Sequence, residues 1–242
     1  MPKYQHAIVI GASSGIGRQL VRQLAESGCK VAAVARRQDK LDEVAADYSG
    51  KVLPFVHDVS DFDSIPELFQ RITGDLGGLD LIIYCSGTMP EVEADEFNFA
   101  KDRAMIEVND LGAVAWLNEA ATRFQGTKHG TIVGIGSVAG DRGRMKQPVY
   151  NASKAFLHTY LEALRNRLDR HGVKVVTIKP GPVDTEMTAG LDIKKKMHAN
   201  EAARLILQKS ARTGEHYLNP VHAAAFMVIR NIPSWIFRRM NV

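Results

Sequence analysis

The chain has few cysteines: of its 242 residues, only Cys29 and Cys85 carry thiols. Neither has a neighbour at the spacing of a metal site or a redox pair, so we expect two buried thiols in a reducing compartment and no bound metal. The sequence also lacks an apolar run long enough to cross a membrane, and no secretory signal precedes the first apolar run. These absences predict a cytoplasmic protein.

The sequence shows no strong excess of one charge, no linker and no internal repeat. Its formal net charge is +4, and no groove-like pattern of basic and aromatic residues accompanies that charge, so we do not expect a nucleic-acid partner. No stretch rich in Pro, Gly and Ser divides the chain, which is 45% hydrophobic and 24% charged. Residues 1–242 are therefore predicted to form a single domain around one core.

Short apolar runs alternate with amphipathic segments along most of the chain. This alternation predicts strands and helices in turn, which assemble as a parallel sheet covered on both faces. The predicted fold class is α/β, with a doubly wound parallel sheet of about seven strands and helices on both faces. The strands are expected near residues 5–10, 31–35, 52–56, 79–84, 130–136, 173–178 and 215–218.

A glycine-rich turn follows the first apolar run and precedes an amphipathic stretch over residues 18–27. Its glycines would let the backbone turn tightly and approach a pyrophosphate, whose charge would face the free amides at the start of the helix. The alternative interpretation is a loop that needs only flexibility. The residues of this turn that we predict to bind a dinucleotide are Gly11, Ser13, Ser14, Gly15, Ile16 and Gly17.

Two arginines, Arg36 and Arg37, stand at the end of the second predicted strand. A dinucleotide without the extra phosphate usually meets a carboxylate there, whereas a phosphorylated one needs cations. The first acid, Asp39, already belongs to the next segment, so the sequence predicts NADP(H) in preference to NAD(H). Arg36 is the first choice for the 2′-phosphate and Arg37 the second, because a guanidinium can both stack on adenine and fork onto phosphate. The alternative is a pair of solvated arginines.

Tyr150 and Lys154 are one helical turn apart, and Ser137 lies thirteen residues before Tyr150 at the end of an apolar run. Positions i and i+4 share one face of a helix, so the Lys154 ammonium would lie beside the Tyr150 hydroxyl and favour its ionised form. Such a set can transfer a proton to the oxygen of an alcohol or ketone. The spacing alone arises by chance in many helices, and only the rest of the chain raises its significance.

Together these segments resemble the short-chain dehydrogenase/reductase family over roughly the first 190 residues. The resemblance implies a Rossmann-type fold and an oxidoreductase acting on a CH-OH group. It also implies further cofactor contacts: the adenine would meet an Asp-Val pair, and a Pro-Gly-x-Val-x-Thr segment would close over the nicotinamide. The catalytic tetrad implied by the resemblance is Asn109, Ser137, Tyr150 and Lys154, and the further cofactor contacts are Asp58, Val59, Pro180, Gly181, Val183 and Thr185.

One segment departs from the family pattern. Where the family usually has Asn-Asn-Ala-Gly after the fourth strand, this chain has Tyr84, Cys85, Ser86 and Gly87. The Gly87 backbone position is kept, and Ser86 and Gly87 are still expected at the cofactor. The side-chain amide that normally steadies the central sheet is missing.

The resemblance assigns each residue of the tetrad a role. Ser137 and Tyr150 would hydrogen-bond a substrate carbonyl, hydride would arrive from the nicotinamide, and Tyr150 would donate the proton. Lys154 would hold the nicotinamide ribose and support Tyr150, while Asn109 would hold a water that connects Lys154 to solvent. A cofactor-binding regulatory protein of the same fold remains an alternative, since fold alone does not establish function.

The substrate pocket and the histidines are less distinctive. A lid is predicted at about residues 183–199. The small and thioether side chains expected in the pocket walls suggest an apolar ketone or alcohol, and the alternative is that each methionine packs in the core. The expected pocket walls are Met89, Val138, Ala139, Met145, Pro182, Met187 and residues 188–197, including Lys194, Lys195 and Lys196. His57, His158 and His171 lack a matching Asp and nucleophile, so we expect no hydrolase triad.

The C-terminal tail, residues 221–242, interleaves apolar and aromatic residues with three arginines. This amphipathic pattern is typical of an interfacial helix, and it is equally typical of a segment that docks on a second subunit. We favour a homodimer or homotetramer in which Trp235 and Phe237 are buried between subunits. The alternative is peripheral membrane contact by a reductase of a lipid-like ketone.

Overall fold

The protein forms a single α/β domain around a seven-stranded, wholly parallel sheet, in a computed structural model that describes residues 4–93, 95–193 and 195–240. Within these described residues the strands, in chain order, are β1 His6–Ile10, β2 Lys30–Ala35, β3 Val52–Val56, β4 Leu81–Tyr84, β5 Thr131–Ile135, β6 Lys174–Lys179, β7 Val183–Asp184, β8 Met197–His198 and β9 Gly214–Tyr217. The large sheet has the order β3-β2-β1-β4-β5-β6-β9. All seven strands predicted from the apolar runs are confirmed.

Helices cover both faces of this sheet. They are α1 Gly15–Glu26, α2 Gln38–Asp47, α3 Ile65–Leu76, α4 Phe99–Ile106, α5 Gly112–Thr127, α6 Pro148–Leu168, α7 Ala199–Lys209, α8 Pro220–Asn231 and α9 Ser234–Phe237. Strand β1 shows how the two cores arise: Ile8 and Ile10 face the cluster with α3, α5 and α6, whereas Ala7 and Val9 face the cluster with α1 and α7. Because alternate residues of a strand point to opposite faces, a continuous apolar run is what a doubly covered sheet requires.

The reversal of strand order between β1 and β4 determines where the site lies. The chain winds outward from β1 to β3 and then returns to β4 on the other side of β1. Ligands bind sheets of this type at that reversal, outside the carboxyl ends of the strands.

Gly77 ends α3 with φ of +83°, a left-handed value that glycine adopts readily, as the glycines near this helix end predicted.

The lid contains a small two-stranded sheet that the sequence pattern did not predict. Strands β7 and β8 pair in parallel, Val183 with Met197 and Asp184 with His198, so the two ends of the lid lie side by side. Two-residue strands carry too short a pattern to be recognised from alternation. Lys194, which we placed in the lid, lies outside the described residues.

The C-terminal tail folds back on its own subunit, which corrects one expectation. Phe237 is buried within the chain, and the guanidinium of Arg142 lies 4.6 Å from its ring centroid, so this phenylalanine is not available to a second subunit. Arg142 also donates to the carbonyl oxygen of Arg230 at 2.9 Å. Trp235 remains 59% exposed. Residues 241–242 of the tail lie outside the described residues.

None of the helices in the described part of the chain is long and apolar enough to cross a membrane.

The two cysteines are unpaired. Cys29 is fully buried, whereas Cys85 lies one residue beyond β4 and is only partly buried, so the expectation of two buried thiols holds for Cys29 alone. Burial raises the pKa of both thiols to about 12, which makes them poor nucleophiles at neutral pH.

Candidate active site

A cleft of about 670 Å³ opens at the carboxyl ends of the strands. The segments that follow β1, β4, β5 and β6 all contribute to its walls, as the topology of the sheet requires. The structure brings every predicted site residue except Asn109 to this cleft: Gly11, Ser13, Ser14, Gly15, Ile16, Gly17, Arg36, Arg37, Asp58, Val59, Ser86, Gly87, Ser137, Tyr150, Lys154, Pro180, Gly181, Val183 and Thr185.

Two glycines of the glycine-rich turn occupy positions where a side chain would collide with the backbone. Gly11 has φ of +89°, and a Cβ at this position would lie 2.6 Å from the backbone nitrogen of Ser86. A Cβ on Gly17 would meet the carbonyl oxygen of Gly11. Helix α1 then begins at Gly15 without a side-chain cap from Ser14, and its first residues, Gly15, Ile16 and Gly17, line the cleft. This close, uncapped helix start fits the pyrophosphate of a dinucleotide.

The two arginines at the end of β2 differ in how firmly they are held. Arg36 is an exposed side chain whose Nη1 lies 3.7 Å from Asp58 Oδ2. Arg37 is fixed on two sides: its Nε and Nη2 donate to Ser13 Oγ at 3.3 and 3.1 Å, and its Nη1 donates to Glu186 Oε2 at 3.1 Å. Arg37 therefore links the glycine turn to the lid, a contact that the sequence did not reveal.

Asp58 stands at the cleft just beyond β3. Burial works to raise its pKa, but hydrogen bonds from the backbone and hydroxyl of Ser60, at 3.0 and 2.7 Å, and the nearby Arg36 outweigh burial and hold the pKa below its ordinary value. Asp58 is thus ionised at neutral pH and can accept hydrogen bonds from a bound ligand.

Tyr150 and Lys154 occupy the first turns of α6, as the spacing predicted. Lys154 is buried, its Nζ lies 5.6 Å from the centroid of the Tyr150 ring, and it donates to the carbonyl oxygen of Ile135 at 3.2 Å. Ser137 follows that carbonyl by two residues, and its Oγ accepts from the backbone nitrogen of Ala139 at 3.0 Å. The hydroxyl of Ser137 keeps its own proton to donate.

Asn109 lies behind the cleft, in a π-helical turn formed by Glu107–Leu111 between α4 and α5. Its Oδ1 accepts from the backbone nitrogen of Thr88 at 2.8 Å, and its Nδ2 donates to the Thr88 carbonyl at 3.0 Å and to Ser153 Oγ at 3.1 Å. The side chain thus uses both amide protons on the protein and fixes the loop after β4. The water-holding role expected for this residue stays a prediction.

Tyr84 occupies the place where the family pattern has its first asparagine. Its hydroxyl donates to the carbonyl oxygen of Val108 at 2.5 Å, next to Asn109. Gly112 makes room for the phenol, since a Cβ there would lie 2.6 Å from the Tyr84 oxygen. The departure from the family pattern therefore retains a tie between strand β4 and the element that carries Asn109.

One expectation about the histidines was wrong. His158 does have an acid beside it, because its Nδ1 lies 3.9 Å from Asp141 Oδ1. The arrangement is still not a hydrolase triad, since His158 Nε2 meets the backbone nitrogen of Ser137 at 3.4 Å and not its hydroxyl.

The substrate side of the cleft is only partly as expected. Met89, Met187 and Thr188 line it. The other predicted walls within the described residues do not: Val138 and Ala139 are buried in the core, and Met145 is largely exposed. Pro182 and residues 189–193 and 195–197 also do not line the cleft. The sequence did not indicate three further lining residues, which are Thr88, Ala104 and Val108. They come from a loop and from helices whose inward faces become clear only in the folded chain.

Comparison with known proteins places these residues in a family context. The family model described as short chain dehydrogenase matches residues 5–214. An uncharacterized oxidoreductase of Myxococcus xanthus is 37% identical over 189 residues, covering 77% of this chain and 75% of the relative. An uncharacterized oxidoreductase of Staphylococcus aureus is 34% identical over 206 residues, covering 83% and 88%.

Solved structures share the fold. A short chain dehydrogenase from Burkholderia cenocepacia in complex with NADP superposes with a TM-score of 0.87 at 23% identity and covers 100% of both chains. ElxO with NADP bound gives a TM-score of 0.81 at 19% identity, covering 91% of this chain and 99% of its own. At these sequence identities the similarity establishes a shared fold alone.

Proposed function

The chain belongs to the short-chain dehydrogenase family, and from this membership we infer that it is an NADP(H)-dependent oxidoreductase with Tyr150 as its acid and base. The proposed reaction is hydride transfer between the nicotinamide and a carbonyl or secondary alcohol. One observation carries the proposal: Tyr150, Lys154 and Ser137 line the same cleft as the uncapped start of α1. Proton transfer and dinucleotide binding therefore meet in one place.

The proposed cofactor contacts follow from where the residues lie. The glycine turn and the start of α1 would hold the pyrophosphate, and Asp58 and Val59 would meet the adenine. Arg36 and Arg37 would meet the 2′-phosphate, since the residues that end β2 and directly follow it include no acid. The NADP found in the structures of the Burkholderia cenocepacia dehydrogenase and ElxO is compatible with this preference.

The nicotinamide end would lie between the lid and α6. Pro180, Gly181, Val183 and Thr185 line this side of the cleft, and Ser86 with Gly87 line the opposite side. When bound, the cofactor supplies or accepts the hydride. The protein holds the reacting carbon beside it and excludes water, which is how such sites favour transfer over side reactions.

The remaining steps belong to the side chains of the tetrad. Ser137 and Tyr150 would hydrogen-bond the substrate oxygen, and Tyr150 would give that oxygen its proton as the hydride arrives. Lys154, held by the Ile135 carbonyl, would support the charge that forms on the Tyr150 oxygen and bind the ribose hydroxyls. Asn109 would act by holding the Thr88 loop in place.

The substrate class we favour is an apolar ketone or its alcohol. Met89, Met187 and Val108 form apolar walls at the cleft, and methionine adapts to irregular hydrocarbon shapes. A panel of ketones, from small diketones to sugars and long-chain ketones, tests both the activity and its preference by the loss of NADPH absorbance. A regulatory, non-enzymatic protein would bind NADPH and consume it with none of them.

The quaternary structure and location remain proposals from the sequence. One face of α8 presents Val221, Ala224, Ala225 and Val228 to solvent. An apolar face of this kind favours a homodimer or homotetramer, with a membrane surface as the second candidate. A cytoplasmic location stays a prediction.

A further inference from the structure

His158 continues the row of side chains that begins with Tyr150 and Lys154. The three positions are spaced by four residues on α6 and share one helical face. The ring is 6% exposed. The proposed mechanism gives it no role, and a buried imidazole beside a reacting serine requires an explanation.

One nitrogen of His158 holds the backbone of Ser137. The Ser137 N–H donates to His158 Nε2 at 3.4 Å, while the preceding residue, Gly136, donates to the carbonyl oxygen of Ile178 at 2.8 Å. The strand end is thus fixed from two directions. Glycines on either side form the notch for the ring, because a Cβ on Gly136 would meet Nε2 and one on Gly140 would lie 2.7 Å from Cε1.

The other nitrogen of His158 faces a buried acid. Because Nε2 accepts a hydrogen bond, the ring proton resides on Nδ1, which points toward Asp141 Oδ1 at 3.9 Å. Asp141 is itself fixed: Lys179 Nζ donates to it at 2.8 Å and the Tyr217 hydroxyl at 2.6 Å. These donors stand on β6 and β9, so the central sheet sets the position of the acid.

Burial and the neighbouring charges keep the ring neutral. Burial is the main cause that lowers the pKa of His158 to about 3; Lys179, Lys154 and Arg230 lower it further, and Asp141 opposes them. A neutral ring is required here, because a protonated Nε2 could not accept the Ser137 N–H.

We propose that His158 is the positioning residue for Ser137, holding the serine backbone so that its hydroxyl meets the substrate oxygen. This inference rests on the proposed reductase function. Ser137 follows the last residue of β5 by two positions. Its neighbours Gly136 and Val138 donate to the carbonyl oxygens of Ile178 and Pro180, and the N–H of Ser137 between them is held by His158. A displacement of about 1 Å in such a group can cost a hundredfold in rate.

The first test is a double-mutant cycle between His158→Leu and Ser137→Ala. We expect His158→Leu to lower kcat about 10- to 100-fold while KM and the NADPH dissociation constant change less than about threefold. His158→Gln, whose amide oxygen reaches the place of Nε2, should restore most of the rate. Added to Ser137→Ala, His158→Leu should cost less than about threefold more, because the group it positions is already gone. His171→Leu, in the turn after α6, is the matched control and should leave kcat unchanged.

Additive losses in the cycle, or a rate for His158→Gln as low as that for His158→Leu, would overturn the inference. A Tyr150→Phe variant distinguishes this from failure of the proposed function: if that variant stays active, the mechanism itself is wrong. If His158→Leu does not fold, His158→Asn, whose shorter amide does not reach the Ser137 N–H, takes its place in the cycle and is judged by the same criterion of non-additivity.

A second readout does not depend on activity. Long-range nitrogen–proton spectra of the ¹⁵N-histidine-labelled wild-type protein should show His158 as the Nδ1–H tautomer, with no titration between pH 5 and 8. His158→Gln identifies the signal by its loss. The Nε2–H tautomer, or a charged ring in this range, would contradict the proposed contact with Ser137.

Discussion

Lys154 Nζ donates a 3.2 Å hydrogen bond to the carbonyl oxygen of Ile135, at the end of strand β5. This bond joins the helix that carries Tyr150 to the strand that leads into Ser137. The ammonium is therefore positioned before any ligand binds. Preorganised charge of this kind stabilises developing charge without the cost of rearrangement.

Replacing Lys154 should impair binding and chemistry together. Lys154→Met keeps much of the length of the side chain but removes the ammonium, so NADPH affinity and kcat should both fall, with kcat lower by at least about a hundredfold. Steady-state kinetics and a fluorescence titration with NADPH measure the two effects. Lys146→Met, which removes an exposed lysine just before α6, is the control and should change neither. Loss of affinity with an unchanged kcat would restrict Lys154 to cofactor binding.

Cofactor preference should depend on both arginines at the end of β2. Each charge-assisted contact with the 2′-phosphate is worth about 1.5–3 kcal/mol, so Arg36→Ala and Arg37→Ala should each weaken NADPH binding roughly ten- to a hundredfold. NADH binding should barely change with Arg36→Ala. Titration of both cofactors by intrinsic fluorescence measures the difference, with Lys40→Ala as a control cation on α2. If the wild-type protein bound NADH as tightly as NADPH, the 2′-phosphate assignment would fail.

Asp110 should make the protein less stable as the pH rises. Burial is the main cause that raises the pKa of this carboxyl to about 7, and Lys154 only partly offsets it. In the unfolded chain the carboxyl of Asp110 has a pKa near 3.9. The stabilising effect of the bound proton is therefore complete below about pH 4 and is lost as the pH rises to about 7.

Asp110→Asn removes this dependence. The melting temperature of Asp110→Asn minus that of the wild-type protein should increase by several degrees between about pH 4 and pH 7, and it should stay constant above pH 7. Asp75→Asn changes an exposed acid at the end of α3 and serves as the control. A difference between Asp110→Asn and the wild-type protein that does not vary with pH would show that Asp110 titrates normally.

Oligomerisation should depend on the exposed apolar residues of the tail. Met227 and Trp235 are 70% and 59% exposed, so Met227→Glu and Trp235→Glu should reduce the molar mass measured by light scattering without unfolding the subunit. Truncation before α8 is the poorer experiment, because Phe237 and Arg142 pack within the subunit.

The matched variant for the tail changes charge only. Arg238→Glu with Arg239→Glu should leave the oligomer intact. If the wild-type protein bound anionic vesicles, Arg238→Glu with Arg239→Glu abolished that binding, and every variant kept the wild-type oligomer, the membrane alternative would be favoured.

The sheet could be predicted because its strands are buried on both faces. Each one reads as a short apolar run, and helical segments separate the runs, so the order of elements and the parallel sheet follow from the sequence. The paired strands Val183–Asp184 and Met197–His198 could not be predicted, since two residues show no period. The π-helical turn at Asn109 likewise has no sequence pattern of its own.

The site could be predicted where a motif fixes the local geometry. The glycine turn and the Tyr150–Lys154 pair are of this kind, because neighbours along the chain are also neighbours in space. Contacts between distant segments could not be found in this way. The bond of Arg37 to Glu186, the burial of Phe237 and the approach of His158 to Ser137 all depend on how elements pack.

The four-residue spacing in α6 contains a sequence signal for His158. His158 follows Lys154 by four residues, so it shares the face that carries Tyr150. Its partner Asp141 follows Ser137 by the same interval. The two intervals become informative only when the strand end and the helix are known to lie side by side.

The proposal that Tyr150 protonates the substrate is tested most directly by Tyr150→Phe in single-turnover hydride transfer from NADPH to a ketone that the wild-type protein reduces. The variant keeps the ring and removes the proton donor, so the rate should fall by at least about 10²–10⁴ while NADPH binds with nearly unchanged affinity. Hydride transfer at the wild-type rate by a variant that binds NADPH normally would contradict the account.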